Sequence, residues 1–395
     1  MIIIGGAWAG LSAARELRQR SPDLDVLVID REPILRSLPL SNTWLVDRTP
    51  ERMPRLDRAA LAGQVGYRFL AAEVLQVDRT QRRVHTSQGA LEYDWLLIAT
   101  GLSYDYGAWF GGDLQAARVA RENFPAGFVA DELDRLKQGL AGFGGGTLVM
   151  TIPASPYRCP PAPYERAMML AWWLKTRHIK GKLIVLDAGG GLSRFTRLFA
   201  DRYPDHIEHR PYSVIRSVDP HGRRVLTDDD DLHFDHALLL PPMGAGPLVE
   251  RAGLLDRDKQ GQTVPWASVD PVRLCSPLDE RVYLAGDLVG SVSPLFGHYP
   301  KTAHMAVRLG AIAAQQIAAR SARAPELPVQ LPHSTCHVWL DAEPPEQLRM
   351  EVQYRMRGDG VITQAVTQHD NPQPRDEDLQ WGMGLYTGAF GATLK

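Results

Sequence analysis

Cys159 has the neighbours that most favour chemistry in this sequence. It stands between Arg158 and the rigid pair Pro160-Pro161, just ahead of a helix that the residue pattern places over Tyr164 to Lys175. A nearby cation and a helix N-terminus both favour thiolate, the nucleophilic form of cysteine. Cys275, in Arg273-Leu274-Cys275-Ser276-Pro277, and Cys336, in Ser334-Thr335-Cys336-His337-Val338, are the other two cysteines. Any of the three can be a small buried apolar side chain, the usual fate of a free cysteine; Cys159 departs from that expectation. A second cluster is Gly5-Gly6-Ala7-Trp8-Ala9-Gly10. A glycine turn of this kind between a strand and a helix lets backbone N–H groups meet a phosphate. Gly5 allows the tight turn, and Gly10 lets helix and strand pack closely. Ala7 stands where a second glycine usually admits the pyrophosphate, a mild departure. Asp30, 20 residues beyond Gly10, is placed to accept ribose hydroxyls.

The elements that must hold these residues follow from apolar runs. Met1–Ile4 reads as a strand buried on both faces. A helix from Leu11 to Gln19 and a second strand, Val26–Ile29, complete a βαβ unit. Tyr93 to Gly101 is an apolar strand ending in Ala99-Thr100-Gly101, and Arg281 to Asp287 is one ending in Gly286-Asp287. A second half of the same kind starts with the strand Thr147–Ile152. Its turn, Pro153 to Pro163, carries five prolines. Proline has no N–H and fixes φ, so this turn cannot cradle a pyrophosphate. Gly189-Gly190-Gly191 follows the second strand of that half, the wrong place for a nucleotide turn, and reads as a loop. Ser321 to Pro332 reads as a linker. Residues 333–395 form a short mixed tail, too small for its own core, that must dock on the rest.

Composition sets the outer bounds. The chain has 395 residues and a formal charge of −2, which gives no basic field for nucleic acid. No apolar run reaches the roughly 18 residues that span a bilayer. Three cysteines are too few for a disulfide scaffold, and no metal site is expected. Because Met1–Ile4 already reads as strand, no secretory leader is expected in this sequence.

The glycine turn, the Ala-Thr-Gly strand and the Gly-Asp strand, in this order, resemble the disulfide reductase superfamily of flavoproteins. The run Tyr157-Arg158-Cys159-Pro160-Pro161-Ala162-Pro163-Tyr164-Glu165-Arg166-Ala167 resembles more narrowly the flavoprotein subunit of flavocytochrome c sulfide dehydrogenase. Pro39-Leu40-Ser41-Asn42, Thr335-Cys336 and Glu351-Val352-Gln353-Tyr354 look similar to that family as well, so the resemblance covers essentially the whole chain. It implies an α/β fold of two Rossmann-like three-layer domains with a small C-terminal flavin-binding and interface domain. The FAD domain would be discontinuous, 1–112 and 240–322; the second domain would span 113–239, and the tail 323–395.

The resemblance also implies the site. Cys159 and Cys336 would form a redox-active disulfide beside the flavin, with Trp381 near the ring. Gly5, Ala7, Gly10 and Asp30, then Ser41, Asn42, Ala99, Thr100 and Gly101, would hold FAD. Gly286 and Asp287 would meet its ribityl chain. A helix from about Lys301 to Ala319 would aim its positive end at the flavin. Lys301 and His298 are candidates to polarise the flavin edge, or else cap and solvate. Glu165 is a candidate proton acceptor, although the dipole alone favours an acid in a first helical turn. Relatives with covalent FAD carry a cysteine where this chain has Leu38, so FAD should be bound non-covalently. The implied substrate is a small inorganic sulfur compound. No Cys-x-x-Cys-His occurs here, so the haem acceptor would sit on a c-type cytochrome subunit in a heterodimer, in the periplasm; a cytoplasmic location stays open.

A sulfide:quinone oxidoreductase is the main rival. It would want apolar amphipathic helices at the C-terminus, whereas Gly382-Met383-Gly384-Leu385 reads as poor helix. An NAD(P)H-dependent disulfide reductase is disfavoured by the proline loop. A flavin-bearing subunit that binds a sulfur carrier without turnover is the non-enzymatic alternative.

Overall fold

The computed structural model describes residues 1–49 and 54–391. The first unit is a six-stranded sheet in the order Cys275–Ser276, Asp279–Leu284, Leu96–Ile98, Ile2–Ile4, Leu27–Asp30, Arg68–Ala71. Five strands run parallel, with Ile3 between Val28 and Leu97 in register; the edge strand Cys275–Ser276 is antiparallel. The central strands are buried on both faces, which is why they read as unbroken apolar runs. Helix Trp8–Arg20 begins three residues before the expected Leu11, because the end of the glycine turn already forms its first turn. It packs on helix Ala303–Ser321. That approach is close enough that a Cβ on Gly310 would fall 2.1 Å from the Ala9 carbonyl oxygen.

The second unit repeats the plan with four parallel strands, Ile207–Pro211, Gly181–Asp187, Gly146–Ile152 and His236–Leu238. Helix Ala162–Thr176 packs on this sheet, and Pro163 sits in its first turn, where a missing N–H costs nothing. The chain is therefore α/β, with two Rossmann-like units.

The tail is a three-stranded antiparallel sheet, His333–Ala342, Pro345–Met356 and Ile362–Asn371, followed by helix Glu377–Phe390. It docks on both units. Val338, Trp339 and Leu340 join the core around helix Ala162–Thr176. Tyr386 and Phe390 join the core of the first sheet, their rings 5.0 and 4.7 Å from that of Trp8. The helix corrects the expectation of poor helix around Gly382-Met383-Gly384. Burial of one face overrides the glycine penalty. Among the described residues, no helix is long and apolar enough to cross a membrane.

Candidate active site

A cavity of about 640 Å³ opens where the three parts meet. Ala7, Trp8, Thr100 and Asp287 line it from the first unit, Cys159 and Glu165 from the second, Cys336 and Trp381 from the tail. Leu38, Ser41, Asn42 and Lys301 complete the set of expected residues on the wall. Gly5, Gly10, Ala99, Gly101 and Gly286 are not on the wall; they shape the backbone behind it. A Cβ on Gly10 would lie 1.9 Å from the Gly5 carbonyl oxygen, so the turn can close only with glycine there.

The residues fit a dinucleotide. Helix Trp8–Arg20 has no side-chain cap at Ala7 and no acid in its first turn. Its free N–H groups begin at the cavity wall, where a pyrophosphate would satisfy them. The second helix facing the cavity is Ala303–Ser321, with Thr302, Ala303 and Ala306 on the wall. It starts two residues after the expected Lys301, and the Thr302 hydroxyl caps it by accepting from the Met305 N–H at 3.2 Å.

Asp30 does not stand free for a ribose. Its Oδ2 accepts the Gly6 N–H at 2.7 Å and its Oδ1 the Glu32 N–H at 3.0 Å. Buried Arg58 lies 3.5 Å from Oδ2 and donates to the carbonyls of Gly6 and Glu32 at 2.5 and 2.7 Å. Asp30 and Arg58 thus fasten the glycine turn, and of the two acids at this strand end it is Glu32 that reaches the cavity wall. Neither Arg58 nor Glu32 carries a local motif by which the sequence could single it out.

Arg158 also departs from expectation. Its guanidinium is not turned to Cys159. Nε donates to Asp287 Oδ2 at 2.8 Å, and a terminal nitrogen donates to the Phe128 carbonyl at 2.7 Å. The Cys159 loop is held by main chain instead. The Cys159 N–H donates to the Lys301 carbonyl at 2.8 Å, and the Cys159 carbonyl accepts from Ala162 N–H at 2.8 Å. Cys159 itself has φ of 51°, a left-handed conformation that costs a non-glycine residue about 1–3 kcal/mol. The side chain of Lys301 points elsewhere: its ammonium donates to the Val289 carbonyl and lies 4.4 Å from the Trp266 ring centre. Burial pushes its pKa down to about 7. His298, against Trp266, is not on the wall.

Cys336 sits on strand His333–Ala342 and lines the cavity beside Cys159. The Cys159 side chain first, and burial second, push the Cys336 thiol well above its usual range. Both cysteines are free thiols, and Cys275 is buried in the edge strand of the first sheet. His304 secures the strand: its Nδ1 accepts the Thr335 N–H at 2.7 Å. Trp381 lies 5.8 Å from His337 and 6.5 Å from His304, ring to ring.

Glu165 reaches the same cavity from the first turn of helix Ala162–Thr176. Its Oε1 accepts the Trp339 N–H at 2.7 Å and its Oε2 accepts from Asn42 Nδ2 at 2.5 Å. Burial pushes its pKa up to about 7, against these two donors, which pull it down. A carboxyl poised there suits proton transfer near neutral pH. Asn42, expected at the flavin, lines the cavity while its amide bonds Glu165, Ala162 and Arg166.

Comparisons with known proteins place the fold. Residues 134–241 match the family model for the central part of the sulfide dehydrogenase (flavocytochrome c) flavoprotein chain, and residues 1–120 match the pyridine nucleotide-disulphide oxidoreductase model. The chain is similar to the mitochondrial sulfide:quinone oxidoreductase of Mus musculus, 22% identical over 66% of this chain and 61% of that one. It is also similar to the sulfide-quinone reductase of Aquifex aeolicus, 27% identical over 56% of this chain and 52% of that one. The matched segments thus span little more than half the length of these relatives. The solved structure of the sulfide:quinone oxidoreductase from Aquifex aeolicus superposes with a TM-score of 0.77 at 20% identity, over 99% of this chain and 92% of that one. An uncapped helix end on the cavity and these matches agree on one placement: the chain belongs to the disulfide reductase-like FAD superfamily and is an FAD-binding flavoprotein.

Proposed function

We propose that this chain oxidises hydrogen sulfide, with Cys159 and Cys336 as the redox pair, Glu165 as proton acceptor, non-covalent FAD as electron acceptor and a c-type cytochrome beyond it. The observation that carries the reading is that the two cysteines and Glu165 line one cavity. The cysteines come from different parts of the fold, and no packing need requires two thiols there.

In its oxidised state the pair is a disulfide. Hydrosulfide attacks one sulfur and the S–S bond breaks, leaving a persulfide on one cysteine and a thiolate on the other. Withdrawal of two electrons and one proton joins these two through the added sulfur. A second hydrosulfide then removes that sulfur as HSS⁻ and restores the disulfide, so two HS⁻ yield HSS⁻, one proton and two electrons. Bound flavin supplies the two-electron sink and can release electrons singly. Glu165 receives the proton. The left-handed turn and two main-chain hydrogen bonds keep Cys159 facing Cys336 throughout.

The acceptor divides the two readings. The match of residues 134–241 to a flavocytochrome c flavoprotein chain, a segment that contains Cys159, supports a cytochrome. The sulfide:quinone oxidoreductase relatives favour a quinone. Helix Glu377–Phe390 speaks against a membrane-facing apolar surface at its own position. Its exposed residues among those described are Gln380, Gly384, Thr387 and Gly388. The test is an anaerobic sulfide titration of the yellow protein, followed by ferricytochrome c or a water-soluble quinone. Bleaching by sulfide and rapid return of the yellow colour with ferricytochrome c are expected. No bleaching would remove the sulfide reading, and return with quinone alone would remove the cytochrome.

A further inference from the structure

Asn42 lies on the short helix Ser41–Leu45, wedged between two residues of helix Ala162–Thr176 that are adjacent in sequence and opposite in charge. Its Oδ1 accepts from Arg166 Nε at 2.8 Å. Its Nδ2 donates to Glu165 Oε2 at 2.5 Å and to the Ala162 carbonyl at 3.1 Å. The amide has no choice of orientation. A guanidinium has donors only, so the oxygen of Asn42 must face Arg166 and the NH₂ must face Glu165. Arg166 is itself immobile: it is 2% exposed, donates to the Ala126 and Gly127 carbonyls at 2.5 and 3.1 Å, and lies 4.2 Å from the Phe128 ring centre.

We propose that Asn42 is a positioning residue that sets the proton affinity of Glu165, with Arg166 fixing which end of the amide Glu165 meets. The inference rests on the reading of Glu165 as the proton acceptor. Each carboxylate oxygen of Glu165 receives one obligate donor, Asn42 Nδ2 on one side and the Trp339 N–H on the other. Donors to the ionised form stabilise it, and burial opposes them. The charged and titratable groups facing Glu165 are Arg166 on its own helix, Asp378 on the C-terminal helix and the Cys336 thiol on the tail strand. Arg166 favours ionisation and Asp378 opposes it, and the balance stands at about 7. Removing the Asn42 donor tips it toward the protonated acid. Both amide donors of Asn42 are engaged, one of them by Glu165 itself.

The test titrates Glu165 without turnover. Infrared difference spectra of the oxidised, FAD-loaded protein, free of sulfide, are recorded across pH, and the Glu165 carboxyl band is identified by its loss in Glu165→Gln. The wild-type midpoint is expected near 7. In Asn42→Asp the new carboxylate is held ionised by Arg166 and faces Oε2, so the midpoint should rise by about 1–3 pH units. Asn42→Ser, which removes the donor and adds no charge, should raise it by less, and it carries the test if Asn42→Asp does not fold. A midpoint that stays put or falls in a folded, yellow variant overturns the proposal, as does a wild type without a titrating Glu165 band. If the midpoint moves while sulfide fails to bleach the wild-type flavin, the role of Asn42 stands and the sulfide reading falls.

Discussion

Arg158 Nε lies 2.8 Å from Asp287 Oδ2, joining the residue before Cys159 to the carboxylate that ends the Gly-Asp strand 129 positions later. The same guanidinium holds the Phe128 carbonyl, so one side chain ties the cysteine loop to both walls of the cavity. Arg158→Ala leaves Asp287, only 11% exposed, without its partner. It should lower stability by roughly 1–3 kcal/mol, read as a fall in the urea midpoint. Arg158→Lys should recover little of this, because one ammonium cannot reproduce two divergent guanidinium contacts. Full recovery by lysine would show that charge alone matters there.

Leu38 lines the cavity at the position where the family resemblance would put a flavin-linking cysteine, and an alkyl side chain has no nucleophile. Acid precipitation should therefore release all the flavin into the supernatant. Yellow colour retained in a washed pellet would disprove non-covalent binding.

The second Rossmann-like unit should not accept NADH. Its first turn is the proline loop, and the acid at the end of its second strand is already engaged. Asp187 accepts from Tyr164 OH at 2.7 Å and from the Gly189 N–H at 2.8 Å, and its Oδ2 lies 2.9 Å from His209 Nε2. Both of its oxygens are thus already engaged within the unit. Stopped-flow mixing with NADH should leave the flavin absorbance unchanged on the timescale of sulfide turnover; stoichiometric bleaching would mean that the site survives.

What could be read in the sequence was local. The glycine turn, the Gly-Asp strand and the Cys159 loop are contiguous strings whose backbone demands are written in their residue types. What could not be read were side-chain partners brought together by the fold. Asp30 turns inward to Gly6 and Arg58 rather than outward, and Arg158 prefers Asp287 to Cys159, because distant segments supply those partners. Asn42 gave no sign of its link to Glu165, 123 positions away. The C-terminal helix departs from its local sequence for another reason. Gly382 and Gly384 weaken helix propensity, but a Cβ on Gly382 would meet Leu40 Cδ1 at 3.0 Å, so glycine there admits close packing that more than offsets the loss.

Glu165 gives the pH dependence. Its folded pKa, about 7, lies above its ordinary value of 4.5 because burial disfavours the charge. Its contribution to stability is therefore complete below about 4.5 and is lost as pH rises through about 7. Activity runs the other way, since only the ionised form accepts a proton. Sulfide-driven flavin reduction should rise through pH 7 and lose that limb in Glu165→Gln, with a rate about 10²-fold lower or less at pH 8. Because sulfide also ionises in solution, the wild-type to variant ratio at each pH is the quantity to compare. A ratio that stays flat across pH would remove Glu165 from proton transfer.

The cysteines give the sharpest test. Cys159→Ser and Cys336→Ser should each slow sulfide-driven flavin reduction by about 10³-fold or more, because each removes one end of the S–S bond that hydrosulfide must break. FAD should stay bound in both, since neither sulfur belongs to the glycine turn or the Gly-Asp strand. Cys275→Ser should keep nearly the full rate: Cys275 is 4% exposed in the core of the first sheet and absent from the cavity wall. It should cost some stability by placing a hydroxyl in an apolar site, so the rate is taken per bound flavin. Alkylation provides an independent check on the pair. In the air-oxidised wild type both thiols should be protected from iodoacetamide and released by dithiothreitol, while Cys159→Ser should leave Cys336 alkylatable without reductant once the protein is unfolded. Equal labelling of Cys336 in wild type and Cys159→Ser before reduction would show that the two sulfurs never bond, and an inactive Cys275→Ser would place the reactive thiol elsewhere.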